Sequence, residues 1–223
     1  MPDRVILVIA TRNKGKTSEI LDLLNDFPID IKNLADFGTI PEVIEDGKTF
    51  EENAYKKASF AARVLGLPAL ADDSGLMVEA LGAAPGVYSA RYAGENASDA
   101  QRCAKLLREM KTATHRNAAF ECVLSLAVPN GPALTYEAST EGLITEKPSG
   151  HNGFGYDPVF YYPPLKKTFA QLSRQEKNRV SHRGKALREL RIEFDKVLIW
   201  IQQQMPIQEQ FICNSDTSDV SHK

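Results

Sequence analysis

The sequence predicts an α/β fold, because a short apolar run rich in β-branched residues, VILVIA (Val5 to Ala10), leads into a segment of helical periodicity and then into a second strand-like run from about Ile29 to Leu34. The first run shows no polar alternation, as expected of a strand covered on both faces. In TSEILDLLNDF, Ile20, Leu21, Leu23, Leu24 and Phe27 recur at helical spacing, while Glu19, Asp22 and Asn25 fall on the other side. Together these segments make a βαβ opening.

The next elements follow from capping and turn chemistry. Thr49 and Glu52 have the spacing of a capping box, opening an Ala-rich helix to about Leu65 that Gly66 stops. LPALADD then reads as a short buried strand that ends on Asp72 and Asp73, and strand ends are where α/β sheets present ligands. Ser98 and Gln101 predict a second capping box and a helix to about Met110. AAFECVLSLAV (Ala118 to Val128) reads as a long strand, and the turn signal Asn130, Gly131, Pro132 predicts an antiparallel partner after it, so the sheet is expected to be mixed. A last helix is expected from about Arg183 to Gln204, ended by Pro206. Residues 205–223 form a polar tail, and residues 1–204 are expected to be one domain without an internal linker or repeat.

Composition narrows the function. The chain has 223 residues, 43% apolar and 25% charged, which is ordinary for a globular protein. A formal net charge of -2 argues against a sequence-independent grip on nucleic acid, which relies on many Lys and Arg contacts to phosphates. Cys103, Cys122 and Cys213 are odd in number and form no CxxC pair, so reduced thiols and a cytoplasmic location are expected. No run approaches the ~20 apolar residues of a membrane span. Of the histidines His115, His151, His182 and His222, none makes a spaced pair for zinc.

Five segments have the residue types that phosphate and metal chemistry use. ATRNKGKT (Ala10 to Thr17) lies between a strand and a helix, where free amides and the helix dipole favour an anion. It satisfies a permissive P-loop pattern, but Ala10 stands where the stricter one requires Gly; the alternative is a turn with exposed lysines. ADDSG (Ala71 to Gly75) offers two acids able to hold Mg²⁺ and to orient or deprotonate water, although DDSG also suits a surface turn. Glu45, Asp46, Glu51, Glu52 and Asn53 add oxygen ligands, of which Glu51 and Glu52 also complement a helix dipole. GHNGFGYDPVFYYPP (Gly150 to Pro164) brings glycines and aromatic faces together, suitable for stacking a purine or for a Gly-rich turn over a core. Lys177, His182 and Arg183 supply donors suited to an oxo group or a phosphate.

Taken in order, TRNKGK, VIEDGKTFEENAYKKA, LPALADDSG, APGVYSARYAG, GFGYDPVF and SHRGKAL resemble the inosine/xanthosine triphosphate pyrophosphatase family over nearly the whole chain to about residue 204. The resemblance implies an elongated mixed sheet flanked by helices, with two lobes and a substrate cleft between them, and a homodimer. It also implies Mg²⁺-dependent hydrolysis of ITP, dITP and XTP to monophosphate and pyrophosphate. By motif match, Thr11, Arg12, Asn13, Lys14, Gly15 and Lys16 would hold phosphates. Glu45 and Asp73 would bind Mg²⁺, with Asp73 the general base. Ser74, Phe154, Gly155, Tyr156, Asp157, Lys177, His182 and Arg183 would contact substrate. Arg12 departs from the family pattern, in which that loop position is often small, and the tail has no counterpart in it.

Overall fold

The computed structural model describes residues 4–24 and 26–205, so the tail expected over 205–223 lies outside the described residues from 206 onward. A seven-stranded mixed sheet runs in the order β2-β1-β3-β4-β5-β6-β7. Its strands are β1 (Val5–Ile9), β2 (Ile29–Asn33), β3 (Ala69–Val78), β4 (Asn117–Ala127), β5 (Ala133–Ile144), β6 (Phe160–Tyr162) and β7 (Lys167–Thr168). β1 is parallel to both β2 and β3, and every later pair is antiparallel. The helices are α1 (Lys14–Leu24), α2 (Phe50–Leu65), α3 (Asp99–Glu109), α4 (Arg174–Val180), α5 (His182–Ile192) and α6 (Phe194–Gln204). Among the described residues no helix is long and apolar enough to cross a membrane.

The two crossovers run in opposite directions across the sheet, from β1 to β2 through α1 and from β2 back past β1 to β3 through α2. Right-handed connections therefore put α1 and α2 on opposite faces of the sheet. Side-chain alternation along β1 follows this division. Leu7 and Ile9 pack with Ile20 and Leu24 of α1 and with Leu187, Leu190 and Phe194 of α5 and α6. Val8 and Ala10 pack with Ala58, Ala61 and Ala62 of α2. A separate core forms farther along the sheet, where Leu76 and Val78 of β3 meet Cys103 and Leu106 of α3 together with Phe120, Phe160 and Phe169. The long sheet thus carries its apolar cores end to end, which makes the two lobes.

Local chemistry explains the helix starts. Asn13 accepts from the amides of Gly15 (2.9 Å) and Lys16 (3.1 Å), so α1 begins at Lys14 rather than at Thr17. Both halves of the Ser98/Gln101 capping box are present. At α2 only half of the expected box forms. Thr49 accepts from Glu52 N at 3.1 Å, but the Glu52 carboxylate reaches past Thr49 to the amide of Lys48, at 2.6 Å.

Other expectations are corrected. β3 does not end on the acids but runs five residues beyond Asp73, because Ser74–Val78 continue the ladder with β4 as far as Val78 opposite Ala118. The expected last helix is two. Glu193, at φ -99 and ψ 5, leaves helical geometry, and Phe194 turns into the core as the first residue of α6. Glu19 is also not on an outward face; it is buried, for an electrostatic reason given below.

Candidate active site

A cleft of about 570 Å³ opens where β1 stops and β3 continues. The last bond between them runs from Ala10 N to Leu70 O, 2.7 Å. Two residues on, the same edge of β3 presents the Asp72 carbonyl, and no strand remains to pair with it. Lysines take that place instead, Lys57 Nζ at 2.9 Å and Lys16 Nζ at 3.4 Å. Strand order reverses at β1, the position where open α/β sheets leave a crevice. All the residues assigned by motif match line this cleft: Thr11 to Lys16, Glu45, Asp73, Ser74, Phe154 to Asp157, Lys177, His182 and Arg183; of the other acids and amides named from the sequence, Asp46, Glu51, Glu52, Asn53 and Asp72 do not.

Because Asp72 and Asp73 lie within a continuous strand, they point to opposite faces and cannot act as a chelating pair. Asp72 is fully buried on the α5 side. Its carboxylate accepts from Arg183 Nε at 2.7 Å and Ser74 Oγ at 2.7 Å, and is ion-paired with Lys16. Burial alone would raise its pKa, but Arg183 and Lys16 hold it well below the usual carboxylate range. Arg183 continues to Glu19, and Glu19 bonds Lys177 at 2.8 Å. Lys177 reaches Asp157 at 2.6 Å. This chain explains the buried Glu19, whose pKa burial would raise but the adjacent Arg183 and Lys177 lower. Asp157, fully enclosed and hydrogen-bonded to the Phe154 amide at 2.9 Å, is instead pushed up by burial.

The α2 side carries a different cluster. Asp73 meets Lys57 Nζ at 2.7 Å and Asn53 Nδ2 at 3.3 Å, and Glu45 meets the same ammonium at 3.0 Å. Glu45 is held from behind by Arg91, which bonds its carbonyl at 3.1 Å. Its side chain is 39% exposed against 9% for Asp73, so the cluster opens to the cleft through Glu45. Burial raises the Asp73 pKa despite the opposing pull of Lys57 and Lys16. Burial works to lower that of Lys57, and the two carboxylates overcome it and hold it above the ordinary lysine value.

The loop before α1 and the aromatic turn close the cleft. Thr11 Oγ1 accepts from Asn13 N at 3.2 Å, and Lys14 is exposed. Arg12 bonds Glu42 at 2.5 Å and the Ile40 carbonyl at 2.6 Å, joining the loop to the segment that carries Glu45. Asn13 already occupies the Gly15 and Lys16 amides, and the Lys16 ammonium rests on Asp72. The loop is thus a capped helix start rather than a P-loop wrap. Gly15 is required for space, since a Cβ there would lie 2.6 Å from the Phe154 ring. That ring stands under Lys177 Nζ (4.6 Å) and Arg183 (5.6 Å). Tyr156 OH donates to Ser89 O at 2.9 Å. His182 stacks on Phe120 at 4.7 Å and is buried, and among the described residues its Nδ1 has no hydrogen-bond partner. Burial, reinforced by Arg183, holds its pKa well below the usual value, so the ring is neutral.

Sequence reasoning misses Lys57, Glu19 and the division of the acids between faces. Lys57 has a usable signal, as it follows Asn53 by four residues and shares its helical face. Glu19 has a weaker one, three residues after Lys16 on α1.

Comparison with known proteins agrees with the architecture. The Ham1 family model matches residues 7–193. A protein of Syntrophobacter fumaroxidans named dITP/XTP pyrophosphatase is 64% identical over 199 residues, covering 89% of this chain and 86% of its own. One of the same name from Desulfotalea psychrophila is 56% identical, covering 90% of each. The solved HAM1 protein of Coxiella burnetii superposes with a TM-score of 0.80 at 45% identity, covering 86% of this chain and 99% of its own. With a matching family model across most of its length and relatives this similar, the chain belongs to the Ham1 family.

Proposed function

We propose that this protein hydrolyses deaminated purine nucleoside triphosphates, ITP, dITP and XTP, to the monophosphate and pyrophosphate, and that it depends on Mg²⁺. The observation that carries the reading is one cleft with two kinds of wall. A cationic loop, Arg12 to Lys16, faces the Asp73–Glu45–Lys57 cluster across it. A triphosphate needs both, cations for its oxygens and a carboxylate to activate water. The names of the relatives support the substrate class.

The residues present fit a hard cation. Glu45 and Asp73 direct carboxylate oxygens at one point, which an ammonium now meets, and Mg²⁺ is usually held by one or two carboxylates plus substrate phosphates. Among the described residues no group of three His, Cys, Asp or Glu side chains forms a metal cage. Bound there, Mg²⁺ would offset charge developing on the phosphates.

In the reaction, Asp73 takes a proton from water, the water oxygen bonds to the α-phosphorus, and the bond from that phosphorus to the α,β-bridging oxygen breaks. Pyrophosphate leaves with the bond's electron pair. Burial favours proton uptake by Asp73 in the metal-free cleft, and Asn53 holds its second carboxylate oxygen at 3.3 Å. Base choice falls to Lys177, Arg183 and neutral His182, whose donors suit a 6-oxo group and leave polar groups unpaired against adenine. A homodimer in the cytoplasm completes the proposal and rests on the family resemblance.

The test is incubation with Mg²⁺ and ITP, dITP, XTP, ATP or GTP, with separate assays for pyrophosphate and orthophosphate. Monophosphate plus pyrophosphate, preferentially from the deaminated substrates, is expected. Orthophosphate release, or ITP binding without product, would overturn the reading.

A further inference from the structure

The first turn of α3 contributes to the cleft although no motif points to it. Asp99 Oδ2 accepts from the Gly155 amide at 2.7 Å, and its other oxygen pairs with Arg102. Arg102 in turn donates to the carbonyls of Ala90 (2.9 Å) and Ala97 (2.6 Å). One turn on, Cys103 Sγ contacts the Gly155 carbonyl at 3.4 Å. The Gly155 peptide is therefore held on both sides from one helix. Ala90, meanwhile, belongs to the 3₁₀ turn Gly86–Arg91 that forms another wall of the cleft.

Gly155 needs such support. Gly153 and Gly155 both adopt positive φ, +75 and +62, so the turn gains no rigidity from its own backbone preferences. Phe154 lies between them. Its amide is fixed by Asp157, and the next peptide is fixed by Asp99. The Phe154 ring is thus bracketed at both ends of its own residue, above Gly15 and beside Lys177 and Arg183.

We infer that Asp99 is a positioning residue for substrate selection. With Arg102 it forms a strut that sets the distance between the Phe154–Asp157 turn and the Gly86–Arg91 wall, and so fixes the slot that receives the base. It acts through Phe154 and takes no part in the chemistry at Asp73. The inference deepens the proposed function and rests on it for the identity of the ligand, a purine nucleotide.

The experiment compares Asp99→Ala with Asp99→Asn, since Asn keeps an oxygen that can accept from Gly155. Amide hydrogen exchange is measured first, without nucleotide. In Asp99→Ala both the Gly155 and the Phe154 amides should exchange at least about tenfold faster, although Asp99 touches only the first; in Asp99→Asn both should stay within about twofold of wild type. Kinetics follow. The ratio of kcat/KM for ITP to that for ATP should fall about tenfold in the Ala variant through a higher KM for ITP, with kcat changed by less than about threefold, and the Asn variant should restore it. Unchanged Phe154 exchange, an unchanged ratio in an active Ala variant, or an Asn variant as damaged as Ala would each overturn the inference. A wild-type protein that releases no pyrophosphate from ITP would sink the proposed function instead, and the exchange comparison would still decide the strut.

Discussion

Two clusters of charge lie back to back on β3, and they are built on different principles. On the α5 face, Asp72, Glu19 and Asp157 are matched by Arg183, Lys177 and Lys16 in a network nearly closed to solvent. On the α2 face, Asp73 and Glu45 share the single Lys57, and Glu45 opens into the cleft. The first is balanced internally and the second carries surplus negative charge. A balanced buried network fixes geometry, because breaking one pair strands a charge in a medium that cannot solvate it. An unbalanced, half-open one has negative charge left over for a cation. The adjacent residues Asp72 and Asp73 therefore divide into a structural acid and a chemical one, and the alternation of a single strand accomplishes the division.

The comparison breaks most directly at those two positions. Asp73→Asn should lower kcat by about 10²–10⁴-fold while leaving nucleotide binding and unfolding nearly unchanged. Asp72→Asn should cost about 3–5 kcal/mol in denaturant unfolding, because Arg183 loses its buried partner. If both variants lost stability equally, the two faces would not differ in kind.

Acid titration should separate the clusters next. In the metal-free protein Asp73 has a raised folded pKa, so its carboxylate takes up a proton as pH falls through a range above the ordinary aspartate value. The folded pKa of Asp72 is depressed, so the stability it contributes is present above the ordinary aspartate value and disappears only as pH falls below it toward the folded value. Without Mg²⁺, proton uptake by Asp73 should therefore precede loss of the fold as pH falls, as measured by carboxyl infrared absorption in wild type against Asp73→Asn and by circular dichroism on the same samples. Coincident midpoints would mean that the two acids do not differ in kind.

The smallest expected effect is at Gly15. Gly15→Ala should raise KM by about threefold to tenfold with little change in thermal stability, since the added methyl displaces the Phe154 ring rather than a core residue. An unchanged KM would show that the ring position does not matter to binding.

The difference between local and distant causes also explains what is legible in the sequence. The βαβ opening, the Ser98/Gln101 cap and the Gly66 stop are written in neighbouring residues and can be read there. The continuation of β3 through Ser74 and Gly75 is not, because those residues spell a turn and only the ladder with β4, more than forty residues away, overrides it. The break at Glu193 is hidden for the opposite reason, as apolar periodicity continues through it. Motifs gather the cleft residues by chain position, yet Lys16 with Asp72, Lys57 with Asp73 and Glu19 with Arg183 are partnerships across the fold. Their roles depend on which face of β3 each meets, and that follows only once the strand is known to continue.

The alanine face of α2 has a consequence for anyone redesigning this pocket. Ala54, Ala58, Ala61 and Ala62 seat the helix so closely on the sheet that Asn53 and Lys57 reach Asp73 without slack. Any larger side chain there would lift the helix and carry Lys57 away with it. Specificity can be engineered along the aromatic turn, where side chains border open space, but α2 is an abutment whose position must be kept for the chemistry to survive.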